Sequence, residues 1–97
     1  MINVDMTKAA ERELDKMKGK AYHQVKGCIE SLKKWPNVSG VEAMQGNRKG
    51  EYRKRTGDYR VIFEFSTRTI KEGKAGIEKK ETFIIVTSAG DRKEIYR

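Results

Sequence analysis

GEYRKRTGDYRVIFEF, residues 50–65, runs from a cluster of basic side chains straight into an apolar strand. Tyr59, Val61, Phe63 and Phe65 alternate with Arg60 and Glu64, the period of two expected for a strand with one buried face. Gly57 marks a turn, so Tyr52 to Thr56 and Tyr59 to Phe65 are predicted to form a hairpin. Three registers are open. A Thr56-Gly57 loop sets Arg53 opposite Arg60, a Gly57-Asp58 loop sets Arg55 opposite Arg60, and a three-residue loop sets Lys54 opposite Arg60. Every register opposes two cations, which costs up to about 1 kcal/mol. Leu, Ile, Val and Phe total only 19 of 97 residues, a share at which composition alone points toward disorder. In the two-residue-loop registers Arg53, Arg55 and Arg60 lie on the face away from Tyr59, Val61 and Phe63. That face is either a phosphate-binding surface or a solvated one with Asp58 and Glu64 as partners, and the unfavourable pairing favours the site.

The flanking sequence supplies what covers the apolar face. Ile2 and Val4 alternate with polar neighbours, and Thr7 is a helix N-cap residue of the favoured type. Met6, Ala9, Ala10, Leu14 and Met17 then draw one helical stripe that Gly19 ends. Ala21, Val25, Cys28, Ile29, Leu32 and Trp35 draw a second, stopped by Pro36. Residues 36–50 carry three glycines and no sustained period, predicting a loop with one turn of helix, pinned to the core by Val41 and Met44. Thr82 to Thr87 reads as a last strand. Between the strands, residues 66–80 place Ile70 and Ile77 around a Gly73 to Gly76 turn, predicting a charged extension of the hairpin. The order β-αα-βββ makes residues 1–97 one α+β domain, with a helical hairpin on one face of a small, mostly antiparallel sheet.

The net charge of +8 points toward polyanions, and it is local: residues 47–60 carry net +4, half the total. Arg48, Lys49 and Lys54 are therefore candidate nucleic-acid contacts around Arg53, Arg55 and Arg60. The single cysteine, Cys28, excludes an intramolecular disulfide and falls on a core stripe; a reducing cytosol fits, and neither metal nor cofactor is implied. The N-terminus is charged too early for a secretory signal, and no apolar run approaches the roughly 20 residues a membrane span needs. The expectation is a soluble protein. His23 lies off its helix stripe and reads as exposed; Trp35 reads as core. No phosphate-loop, HExxH or serine-nucleophile motif is present, and the basic groove is expected to hold neither histidine nor carboxylate. In DRKEIYR, residues 91–97, Arg92 and Tyr96 are four apart and share one side if the segment is helical, with Ile95 as anchor.

EYRKRTGDYRVIF, residues 51–63, followed by SAGDRKEIYR, residues 88–97, resembles the signature of the RelE/ParE toxin superfamily of type II toxin-antitoxin modules. The resemblance extends over nearly the whole chain and implies a RelE-like fold with a short C-terminal helical or extended segment. For the RelE-like branch it implies a cytoplasmic endoribonuclease that cuts messenger RNA in the ribosomal A site, leaving 2′,3′-cyclic phosphate and 5′-hydroxyl ends. Its site positions fall on Arg53, Arg55, Arg60, Arg92 and Tyr96, and its partners would be messenger RNA on the ribosome and an acidic antitoxin. The alternatives are a ParE-like inhibitor of DNA gyrase and a non-catalytic RNA-binding module. Lys54 departs from the pattern, standing where such toxins carry an apolar residue; either its stem packs while its ammonium reaches water, or the register differs. Residues 66–80 are also long for the family's hairpin.

Overall fold

A computed structural model of the chain describes residues 2–74 and 76–91. The N-terminal strand β1 (Val4–Met6) leads into helix α1 (Lys8–Asp15), where the Thr7 hydroxyl accepts a hydrogen bond from the Ala10 amide at 3.1 Å. That is the predicted cap, satisfying one of the donors a helix start leaves open. Of the first stripe, Ala10 and Leu14 are buried and Met6 and Met17 pack against the core, while Ala9 is exposed. Gly19 opens helix α2 (Lys20–Ser31) at φ 58° rather than closing the first helix, which ends at Asp15. Val25, Cys28, Ile29 and Leu32 of the second stripe are buried, and a 3-10 turn (Leu32–Lys34) completes it.

Residues 36–50 depart from the expected loop. They contain a short edge strand, β2 (Val41–Ala43), followed by a 3-10 turn (Gly46–Arg48). Three residues are too few to establish a period, so this strand is formed by its pairing with the next one. Val41 does pack against the core.

Strands β3 (Glu51–Thr56), β4 (Tyr59–Glu72) and β5 (Ile77–Asp91) complete a five-stranded sheet of order β1-β5-β4-β3-β2. Among the described residues only the β1–β5 pairing is parallel. Both helices lie on one face, covering Val61, Phe63, Ile84, Val86 and Ala89. Phe63 is fully buried and touches three other rings: Tyr52 at 5.8 Å between centroids, Phe65 at 5.9 Å and Trp35 at 6.3 Å. Trp35 is thus a core residue, and His23 is exposed on α2.

Val86 and Ala89 both face the helices although three residues apart, which strict alternation forbids. A bulge resolves this: Ile62 pairs Ser88 and Phe63 pairs Val86, leaving Thr87 as the extra residue, its hydroxyl donating to the Ile62 carbonyl at 3.4 Å.

Beyond Phe65 the strands β4 and β5 continue pairing with each other alone, from Ser66 with Phe83 to Glu72 with Ile77. This is the predicted charged arm, seven residues per strand, reaching about 20 Å past the neighbouring strands. Ile77 at its end is 65% exposed.

The hairpin register is the one with a Gly57-Asp58 loop: Thr56 pairs Tyr59 and Arg55 pairs Arg60. Gly57 has φ 62° and no non-glycine residue among the described ones has positive φ, the signature of a type II′ turn with glycine at its first central position. A Cβ built on Gly57 would come within 2.5 Å of the Gln24 side-chain amide on α2. Gly57→Ala is therefore expected to lower stability by about 1–2 kcal/mol, mostly through the left-handed backbone, since Gln24 can move aside. Urea titration measures this; an unchanged midpoint would show that the turn relaxes without cost.

Candidate nucleic-acid interface

Alternation along β3 and β4 divides the hairpin into two faces. Tyr52 pairs Phe63 and Lys54 pairs Val61 on the helix side, whereas Arg53 pairs Ile62 and Arg55 pairs Arg60 on the other. Three of the five residues implied as catalytic are thus brought together on the sheet face opposite the helices. Arg92 and Tyr96 lie outside the described residues.

The three arginines differ in access. Arg55 is exposed, the Arg53 side chain retains 25% of its accessible surface, and Arg60 retains 3% as a whole residue. Ile62, on the same face, is only 1% exposed. A purely solvated surface would not bury an isoleucine and an arginine; the long stems of Arg53 and Arg55 can shield Ile62 while carrying their charge outward, whereas Arg60 is itself buried. A buried arginine acts on a surface phosphate through its field, and direct contact requires that it become accessible.

A carboxylate also reaches this face, contrary to expectation. The edge strand β2 sets Glu42 opposite Arg53. Arg53 Nη2 donates to Glu42 Oε2 at 2.7 Å, and Arg53 Nε donates to the same oxygen at 3.3 Å. The hydrogen bond from Arg53 and then its charge hold the Glu42 carboxyl below its ordinary pKa, and Arg55 and Arg60 add to the effect. Glu42 is 11 positions before Arg53 in a segment without strand period, so no local spacing signals the contact. Glu51 and Glu64, paired with each other on the same face, are further carboxylates there, and Glu42 is bonded to Arg53.

Lys54 does not join the arginines. It stands on the helix side, where its Nζ donates to the Ser39 carbonyl. Its stem lies beside Val61 while its ammonium reaches the Ser39 carbonyl at the sheet edge, the first of the two possibilities left open above. The ammonium is near enough to Cys28 to lower its pKa, but burial dominates and pushes that thiol up to about 11. Cys28 is a core residue and a poor nucleophile. Arg48 and Lys49 sit in the turn before β3, about 20 Å from the Arg55 end of that strand, and form no common cluster with it.

Among the described residues no group of histidine, cysteine, aspartate or glutamate has the arrangement to hold a metal ion, and no helix is long and apolar enough to cross a membrane. Two helices on one face of a mostly antiparallel five-stranded sheet, with the arginines of the basic strand pair on the other, constitute the RelE-like α+β fold. Two solved structures share it. A chain of the RelBE2 toxin-antitoxin complex from Mycobacterium tuberculosis superposes with a TM-score of 0.68 at 17% identity, over 94% of this chain and 98% of that one. The isolated E. coli RelE toxin superposes with a TM-score of 0.62 at 16% identity, over 99% of this chain and 92% of that one. No protein-family model matches the sequence, and no curated protein matches it significantly. At these identities the likeness is one of fold.

Proposed function

We propose that this chain is the toxin of a toxin-antitoxin module and acts as a ribosome-dependent endoribonuclease on messenger RNA. The observation that carries the reading is the pairing of Arg55 with Arg60 one pair along from Arg53, on the sheet face opposite the helices. The RelE-like fold and the net charge of +8 support it.

Cleavage requires the 2′-oxygen to attack the adjacent phosphorus in line. The new bond closes a 2′,3′-cyclic phosphate, the bond to the 5′-oxygen breaks, the 2′-hydroxyl loses its proton and the 5′-oxygen gains one. An arginine, with a pKa above about 12, neither takes nor gives that proton at neutral pH. Arg53 and Arg55 are assigned to clamp the phosphate and stabilise charge on its equatorial oxygens, with Arg60 reinforcing the field from beneath. Arg92 is assigned to the same clamp, and Tyr96 to base stacking or proton transfer. A site this poor in proton-transfer groups depends on orientation of its substrate, which a ribosome holding the message can provide.

The antitoxin would be an acidic protein covering the basic face, and its binding would stabilise a chain with so few apolar residues by mass action. Primer extension on translated messages after induction of this chain alone tests the reading. Transcripts cut within codons, and left intact when ribosomes are omitted from a purified system, are expected. Growth arrest with intact transcripts and a DNA-damage response would instead select gyrase inhibition, while RNA binding without toxicity would select a non-catalytic module.

A further inference from the structure

β2 is three residues long and lies at the sheet edge, yet its central residue tethers an arginine of the candidate site through two donors on one guanidinium edge. Arginine carries about 2 kcal/mol of rotamer entropy, and the two bonds to Glu42 narrow the orientations open to the Arg53 guanidinium. The Glu42 side chain is 52% exposed, and an ion pair so open to water adds little to folding stability. Its effect falls on the orientation of Arg53 and on the charge of the arginine face.

Building on the nuclease reading above, we propose that Glu42 is a positioning residue for Arg53. It holds the guanidinium in one orientation at the β2 side of β3, on the face that also carries Arg55 and Arg60, for contact with the scissile phosphate, while its own negative charge weakens ground-state binding of that phosphate. The two effects separate in kinetics. Loss of the charge tightens binding of the message, because the face becomes more positive. Loss of the tether slows the chemical step, because transition-state stabilisation depends on donors fixed before the charge develops.

The test is single-turnover cleavage of a defined message on programmed ribosomes by the full-length chain, Glu42→Gln and Glu42→Asp. For Glu42→Gln the maximal rate is expected to fall about tenfold, less than the hundredfold or more for deletion of a direct donor, with the half-saturating concentration falling rather than rising. Glu42→Asp should recover most of the rate, and Glu42→Gln should have no further effect on the rate in an Arg53→Ala background. A role limited to folding would lower the thermal midpoint and the rate together, without the split and without dependence on Arg53, and would overturn the proposal. So would an unchanged or faster maximal rate.

A second measurement stands apart from cleavage. The Arg53 Nε–H resonance in 15N NMR, assigned with Arg53→Lys, should be sharp and slow to exchange in the parent chain and broadened or lost in Glu42→Gln; an unchanged resonance overturns the tether. If the parent chain cuts no message, the nuclease reading fails while the resonance still decides the role of Glu42.

Discussion

Arg55→Ala is expected to lower messenger RNA cleavage about a hundredfold, close to 2.7 kcal/mol of transition-state stabilisation, while leaving the protein as stable as before or more so. The opposite signs follow from the register. Arg55 is exposed and its cross-strand partner is another cation, Arg60, so its removal relieves repulsion worth up to about 1 kcal/mol and exposes nothing of consequence. Toeprinting on ribosomes gives the rate and thermal melting the stability. A solvated surface would show the gain in stability with no loss of cleavage, and that result would defeat the assignment of this face. Arg60→Ala differs, because Arg60 is 3% exposed. Truncating a buried side chain that carries charge is expected to cost about 2–3 kcal/mol in stability as well as activity, so Arg55 isolates the chemistry and Arg60 does not.

Phe63→Ala is expected to destabilise the fold by about 3–5 kcal/mol, a large share of the 5–15 kcal/mol that holds a typical domain. Phe63 has no accessible surface, and the Tyr52, Phe65 and Trp35 rings around it come from three different segments. Their shared cavity cannot close by movement of one element. The chain has only three phenylalanines and one tryptophan, so little apolar mass is available to refill the space. Phe63→Leu should cost less than half as much, since most of the volume is retained. Guanidinium unfolding of the two variants checks the ranking; equal and small losses would mean that the centre of the core lies elsewhere.

The helices, the hairpin strands and the charged arm were legible because each repeats a period long enough to detect: two stripes at 3.6, one alternation at two, and an extension with isoleucines around a glycine turn. Thr7 was legible as a cap because capping is a local contact. The strand β2 was not, since three residues carry no period and its identity comes from pairing with β3. The bulge at Ile62 was not legible either, since TFIIVTSAG contains no glycine or proline where Thr87 is extruded. Lys54 was legible as an anomaly, but its resolution needed the Ser39 carbonyl, 15 residues away along the chain.

By itself the sequence determined that a hairpin turns an apolar face to two amphipathic helices and a basic face away from them, because side-chain period and charge are properties of a chain read in order. It also determined that some pair of cations must oppose each other, because every turn length compatible with Gly57 leads to one. Which pair, how deeply Arg60 is buried and that a carboxylate joins the arginines were decided only by the tertiary structure. Those facts depend on register and on an edge strand folded back from a distant segment, and electrostatics at a few ångströms takes no account of separation along the sequence.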